Sequence, residues 1–339
     1  MQKGTINGVV VGNACATSTG ADMNRNDLSP HASPEETSKT PAVEGRPLPQ
    51  VLVVGSGAMG AQISMACALA GHHVTVQDIS TDSLERAENS LREILERQVA
   101  KGRVTDENRD GAFARLHFTA DLEQAAASAD FVIEAAVETL ALKEDLFSQL
   151  DALCPPHTIL TSNSSSFVPS KLAAATHRPS QVCNLHFFNP ALVMKCIEIV
   201  PGPGTSDDTI DAAVTLALRL GKEPIVMAKE ITGFIANRIL NAIRDEAVFL
   251  LEGGYASITD IDAVCRTALA HPMGPFELQD MTGLDIGYAT KLARYEDSRD
   301  PADAPSRSLT DRIQAGHLGR KTGRGWYRYD ASGNKAGEA

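Results

Sequence analysis

Four consecutive apolar residues, Val51-Leu-Val-Val54, run directly into Gly55-Ser-Gly57-Ala-Met-Gly60, and Ala61 to Ala70 continue as a helix. A strand that is apolar at every position must be covered on both faces, as central strands of parallel sheets are. Gly55 permits the tight turn, Gly57 lets a pyrophosphate approach the backbone, and Gly60 lets helix and strand pack closely. The helix would meet that phosphate with free N–H groups and the positive end of its dipole. A glycine turn alone is weak, but this chain supplies its context. A second strand, Val74-Thr-Val-Gln-Asp78, ends in a carboxylate 18 residues after Gly60, where an acid accepts the adenosine ribose hydroxyls of NAD. Ile79 follows it, with no arginine beside it to neutralise a 2′-phosphate. NAD is therefore expected rather than NADP. A strand–turn–helix without a ligand does not account for the complete fingerprint.

The length of 339 residues suggests about two domains. A hydrophobic content of 43% suffices for a core, and no apolar run is long enough to span a bilayer. Lys+Arg of 31 against Asp+Glu of 43 gives a net charge of −12, which argues against nucleic acid as a partner. The six cysteines form no Cys-x-x-Cys pair and show no Cys/His metal spacing. No metal and a reduced, cytoplasmic setting are expected. Residues 1–49 are rich in Gly, Ser, Thr, Pro, Asn and Asp, with one apolar cluster at Val9-Val10-Val11. They bury too little to offset ordering entropy, which predicts a disordered extension. They match neither a secretory signal nor a mitochondrial presequence.

A further buried strand runs over Asp130–Glu138 into carboxylates at its C-terminal end, Thr158–Ser166 and Gln181–Pro190 each read as a strand opening into a turn, and Cys196–Val200 and Pro224–Met227 complete the set, with helices over Asp82–Lys101 and Leu140–Leu153. Residues 50–230 thus predict an α/β domain, a Rossmann-type, mostly parallel sheet. Ligands of open α/β sheets collect at the carboxyl ends of strands, where Glu138, Ser165 and His186 fall. The cations Arg86, Arg92 and Arg97 on the Asp82–Lys101 helix alternate with glutamates. They form either a solvated face laced with i,i+4 pairs or a shallow cationic site. Past about residue 230 the strands stop. Gly233–Leu251, Ile258–Leu269, Leu284–Tyr295 and Leu309–His317 predict an all-helical domain over 231–330, followed by a tail, 331–339. Its Gly319-Arg-Lys-Thr-Gly-Arg-Gly325-Trp-Tyr-Arg-Tyr329 segment fits a structural clasp better than an RNA contact. The apolar faces of these helices predict pairing with a second copy.

Oxidising an alcohol with NAD requires a held cofactor, a base for the hydroxyl proton, and dipoles that orient the oxygen. His186 is the natural base, because imidazole titrates near neutral pH. Glu198 lies twelve residues on and faces the same way if the two strands are neighbours. A carboxylate beside imidazole favours the charged ring and fixes the tautomer. A glutamate between Ile197 and Ile199 turns inward only at a cost of several kcal/mol unless paired, and the alternation alone leaves its direction open.

Several segments together resemble the L-3-hydroxyacyl-CoA dehydrogenases. These are Gly55-x-Gly57-x-x-Gly60, Glu134-x-x-x-Glu138, Ser162-Asn163-Ser-Ser165-Ser166, His186-Phe-Phe-Asn189-Pro190, Met194-Lys195-x-x-Glu198 and Gly233-Phe-Ile-x-Asn237-Arg238. The likeness continues through His271-Pro-Met-Gly-Pro and Gly319-Arg-Lys-Thr-Gly-Arg-Gly, covers about residues 50–330 and omits the first 49. It implies that His186 removes the 3-hydroxyl proton, with Glu198 as its electrostatic partner. Ser165 and Asn237 would hydrogen-bond the reacting oxygens. Asn163, Glu138 and Lys143 would lie around the nicotinamide and its ribose, and Gly55, Gly57, Gly60 and Asp78 around the rest of the NAD. The family implies an acyl-CoA substrate, with CoA over the first domain near Arg86–Arg103, and a homodimer through the helical domain. Ser164 stands where Thr is frequent and Cys196 where Leu or Val is; neither carries a named role. Relatives that oxidise L-gulonate or carnitine tend to run His-Pro-x-Asn-Pro and to lack the Met-Lys element, so Phe187 and Met194-Lys195 favour the acyl-CoA. The 6-phosphogluconate type needs a lysine on the linking helix that Gly233–Asn237 lacks. A silent NAD-binding protein would need a broken site, and this set is intact.

Overall fold

A computed structural model describes residues 48–339. The expectation for residues 1–49 therefore lies outside the described residues, except at its last two positions. Strands β1 (Val51–Val54), β2 (Val74–Gln77), β3 (Leu116–Thr119), β4 (Phe131–Glu134), β5 (Ile159–Ser162), β6 (Val182–Phe187), β7 (Cys196–Pro201) and β8 (Glu223–Val226) form one sheet in the order β3-β2-β1-β4-β5-β6-β7-β8. All neighbours are parallel except β6 and β7. Seven helices accompany them: α1 (Ala58–Leu69), α2 (Thr81–Ala100), α3 (Asp106–Phe113), α4 (Leu122–Ala126), α5 (Leu140–Leu153), α6 (Pro169–Ala173) and α7 (Asp207–Arg219).

The continuous apolar run of β1 is explained by two cores. Val51 and Val53 pack with Ile63 and Met65 of α1 and Leu91 and Leu95 of α2. Leu52 and Val54 pack on the other face with Phe147 and Leu150 of α5. Helix α2 starts where Ser80 Oγ accepts the Ser83 N–H. Its outer face carries the exposed pairs Glu88–Arg92 and Glu93–Arg97, each worth about 0.2–1 kcal/mol. Strand β3 escaped the sequence reading: it is a half-exposed edge strand with only Leu116 and Phe118 to mark its alternation.

The second part comprises α8 (Ala236–Glu252), α9 (Ile258–Thr267), α10 (Pro275–Thr282), α11 (Leu284–Ser298) and α12 (Arg307–Gln314). Helix α8 begins three residues later than the sequence suggested, because Gly233 and Phe234 both take positive φ, 79° and 49°. Helix α10 was hidden behind a Pro/Gly run, although Pro275 in the first helical turn is a favoured start. The expectation that strands stop past residue 230 needs one correction: β9 (Tyr327–Tyr329) and β10 (Lys335–Glu338) pair antiparallel, and β10 lies inside the expected tail. Among the described residues, no helix is long and apolar enough to cross a membrane.

The Gly/Arg segment closes this part as a clasp on Asp280. Its carboxylate accepts the N–H groups of Trp326 (2.8 Å) and Tyr327 (2.9 Å) and the hydroxyl of Tyr329 (2.9 Å). A Cβ on Gly325 would stand 2.0 Å from Asp280 Oδ1, and one on Gly319 would stand 2.3 Å from the Asp280 carbonyl. Trp326 packs edge-on against Phe276 at 4.7 Å, and Arg312 lies over its ring at 4.0 Å. Asp280→Ala leaves two buried N–H donors unpaired, at about 1–3 kcal/mol each, and frees the partly buried Tyr329 hydroxyl. A fall in Tm of several degrees is expected in a thermal melt, whereas a variant melting with the wild type would show that the clasp carries no stability.

Candidate active site

The glycine turn separates what the fold needs from what a ligand needs. Gly55 has φ +98°, and a Cβ there would lie 2.7 Å from the Ala135 carbonyl oxygen. A Cβ on Gly60 would lie 1.8 Å from the Gly55 carbonyl oxygen. Gly57 has an ordinary φ of −61°, and a Cβ on it would meet nothing within 4 Å. The protein itself does not require glycine there, so the open space suits a group that comes from outside. Gly57 also caps α1 without any side-chain hydrogen bond, and the first turn holds no acid. A pyrophosphate fits this place: its charge would meet free N–H groups and the positive helix end.

The turn opens on a cavity of about 1110 Å³ that also reaches Asp78, Ile79 and Arg86. Asp78 Oδ2 accepts both the N–H (2.8 Å) and the hydroxyl (2.9 Å) of Ser56, and Oδ1 accepts the Ser80 N–H at 3.0 Å. The carboxylate is thus fixed beside the turn, with acceptor capacity left on Oδ1 for a ribose hydroxyl. The sequence reading missed Ser56 in this role, since the position is free in the glycine pattern. Of the cations on α2, Arg92 and Arg97 are engaged in pairs along the helix, whereas Arg86 lines the cavity with Ser83 on its guanidinium at 2.8 Å.

At the carboxyl end of β6, His186 stands directly opposite Glu198 of β7 in the antiparallel register. Direct cross-strand partners share a face, and Nδ1 of His186 lies 2.8 Å from Glu198 Oε2. Leu185, Phe187, Ile197 and Ile199 point the other way, into the core shared with α1 and α7. The open question of direction is therefore resolved inward: Glu198 is 2% exposed and paired. Its second oxygen accepts the N–H groups of Ile235 (3.0 Å) and Ala236 (2.8 Å), so the same carboxylate caps α8. Nothing in the sequence announces that cap, because the partner lies 37 residues away. Burial pushes the Glu198 carboxyl up, but the hydrogen bonds from His186, Ala236 and Ile235 outweigh it and hold it below the usual carboxylate range. A charged carboxylate only accepts. The neutral imidazole thus carries its proton on Nδ1 and leaves the Nε2 lone pair free. Phe188 and Phe234 flank the ring edge-on at 4.7 and 5.3 Å.

The other expected site residues gather on two neighbouring loops and on α8. Asn163 follows β5, and its Oδ1 accepts the Phe187 N–H at 2.8 Å, which ties the serine-rich loop to the histidine strand. Ser165 is half-buried between Ser164 and Ser166. Asn237, also half-buried, follows Ala236, whose N–H rests on Glu198. Neither joins the His186–Glu198 hydrogen bond. Glu138 is 38% exposed at its side chain and accepts from Ser164 Oγ at 2.5 Å and the Ser166 N–H at 3.1 Å. Burial raises its carboxyl, and the bonds from Ser164, Lys143 and Ser166 bring it below the usual range. Lys143 is only 1% exposed, with its Nζ on Glu134 (2.6 Å), Glu138 (3.2 Å) and the Ala136 carbonyl (3.3 Å). It stands behind Glu138, not at the surface.

The sequence profile of the 3-hydroxyacyl-CoA dehydrogenase NAD binding domain matches residues 50–231, and that of the 3-hydroxyacyl-CoA dehydrogenase C-terminal domain matches residues 233–329. A probable 3-hydroxybutyryl-CoA dehydrogenase of Bacillus subtilis (strain 168) is 37% identical over 281 residues, 83% of this chain and 97% of that protein. The mitochondrial hydroxyacyl-coenzyme A dehydrogenase of Homo sapiens is 38% identical over 285 residues, 82% of this chain and 90% of that protein. Among solved structures, (S)-3-hydroxybutyryl-CoA dehydrogenase from Ralstonia eutropha superposes with a TM-score of 0.78 at 37% identity, covering 84% of this chain and all of that one. This chain belongs to the 3-hydroxyacyl-CoA dehydrogenase family and is an oxidoreductase that uses NAD.

Proposed function

We propose that the enzyme oxidises an (S)-3-hydroxyacyl-CoA reversibly to the 3-oxoacyl-CoA, with His186 as the general base. The observation that carries this reading is the 2.8 Å pair of His186 and Glu198 at the carboxyl end of β6. Nε2 of His186 takes the 3-hydroxyl proton, and Glu198 stabilises the imidazolium that results. A positioned base of this kind contributes about 10²–10⁴ in rate. Bound NAD would supply the acceptor for the hydride that leaves C3. The Ser165 hydroxyl and the Asn237 amide orient the oxygen as it becomes a carbonyl, and Asn237 is delivered by the α8 turn that Glu198 caps. Asn163 and Glu138 face the nicotinamide side, and Lys143 acts there through Glu138. The CoA nucleotide lies over the first domain beside Arg86. The NAD domain is taken as 50–230 and the substrate domain as 231–330. The exposed Ile239, Phe249, Val264 and Ile286 of the latter support a homodimer through the helical domain. The five free cysteines among the described residues fit a reducing, cytoplasmic setting.

The reading is tested by following NADH oxidation with acetoacetyl-CoA beside free acetoacetate, and NAD reduction with L-gulonate. Turnover of the CoA ester is expected to dominate; activity on the free acids alone would overturn the acyl-CoA assignment. Gly57→Ala tests the phosphate contact. Its Cβ enters open space at an allowed φ, so the Tm stays at the wild-type value while KM for NAD rises about tenfold, the equivalent of one lost hydrogen bond to a charged group. An unchanged KM would place the pyrophosphate elsewhere.

A further inference from the structure

Beside the cavity wall, five residues close a hydrogen-bonded ring through four side-chain links and one backbone N–H. Glu134, at the end of β4, accepts Ser162 Oγ on Oε2 (2.6 Å) and Lys143 Nζ on Oε1 (2.6 Å). Ser162 Oγ accepts the Ser164 N–H (3.0 Å), and Ser164 Oγ donates to Glu138 Oε1 (2.5 Å). Lys143 then returns from Glu138 Oε2 (3.2 Å) to Glu134. Glu134 is fully buried and Lys143 nearly so. A buried ion pair is weak evidence for stability, because apolar residues of similar volume often do as well or better. Its placement is more informative. Glu134 Oε1 also takes the Ala136 N–H at 2.7 Å. This holds the Ala135-Ala136 segment that lines the cavity and that the Gly55 turn packs against.

We propose that Glu134 is a positioning residue for cofactor binding. From one buried carboxylate it sets the wall at Ala135-Ala136, holds Lys143 and through it Glu138, and through Ser162 sets the loop that bears Asn163 and Ser165. It touches neither cofactor nor substrate. The inference rests on the placement of the nicotinamide end beside Glu138 proposed above, but it does not depend on which group is the base.

In Glu134→Gln the amide keeps the shape and an acceptor but loses the charge. Lys143 then pairs with Glu138 alone and draws it away from Ser164. The test is a fluorescence titration with NADH, which reads stoichiometry and Kd separately, combined with kcat for acetoacetyl-CoA reduction per binding site. The expected result is unchanged stoichiometry, a Kd at least about tenfold higher, as for one lost hydrogen bond to a charged group, and a reduced kcat. Glu134→Asp, one methylene shorter, is expected to fall between this and the wild type. A Glu134→Gln enzyme that melts earlier yet keeps the wild-type Kd and kcat per site would mean a purely structural role and overturn the proposal. If Glu134→Gln does not fold, Ser162→Ala opens the same ring at an uncharged member, and wild-type values there overturn the proposal equally. His186→Gln keeps the wild-type Kd for NADH, so a failure of the base assignment is not confused with a failure of this one.

Discussion

Replacing His186 with alanine lowers kcat for acetoacetyl-CoA reduction by about 10²–10⁴, the span that a positioned general acid or base contributes, while Kd for NADH stays near the wild-type value. The cavity beside the glycine turn is lined from β1, α1, β2, α2, the segment after β4 and α5, and the imidazole is not among its lining residues. The loss therefore falls on the proton, not on binding. Alanine also leaves a gap between Phe188 and Phe234 and removes one of three partners of the buried Glu198. His186→Gln is the companion, because its amide still donates to that carboxylate. Equal loss of kcat in the two variants locates the effect in the missing base. Near-normal turnover in either removes His186 from the role.

Glu198→Gln is expected to be almost as damaging, for a different reason. A carboxylate facing Nδ1 can only accept, which keeps the proton on Nδ1 and the lone pair on Nε2. A glutamine that caps α8 through its oxygen presents its NH₂ to the ring instead, so Nδ1 must accept and the proton moves to Nε2. The base is then blocked, and the corresponding exchange in a Ser-His-Asp triad costs about 10⁴ in kcat. Glu198→Ala goes further: it leaves the Ile235 and Ala236 N–H groups without their acceptor, at about 1–3 kcal/mol each. That loosens the junction between sheet and helices that delivers Asn237. Stability should carry a matching pH signature. The Glu198 carboxyl is held below its ordinary range. Its contribution is present above the unfolded value of about 4.3 and is lost as pH falls through the lower folded value. The Tm gap between wild type and Glu198→Gln therefore narrows as the pH drops below about 4; a gap independent of pH would show that the charge contributes nothing.

The parts of the fold legible from sequence were those in which one local pattern decides. The apolar run of β1 and its glycine turn fixed the sheet centre, and helical spacing fixed α2 and α5 to within a residue at their ends. Edges were harder. Strand β3 buries only part of its surface, and the β9–β10 hairpin is held by Asp280, some forty-six residues earlier in the chain than Trp326. In the site, the pairing of His186 with Glu198 followed from strand adjacency, which only the antiparallel turn between β6 and β7 supplies. Three features left no local sequence pattern, because each depends on hydrogen bonds between segments far apart in the chain. These are the cap that Glu198 places on α8, the grip of Ser56 on Asp78, and the ring around Glu134.

The most direct measurement is a crystal structure of the enzyme with NAD and acetoacetyl-CoA bound. The account predicts the 3-oxo oxygen within about 2.6–3.2 Å of His186 Nε2, with Nδ1 still on Glu198. A ketone turned away from the imidazole, or held beyond hydrogen-bond reach with no water between, would contradict it.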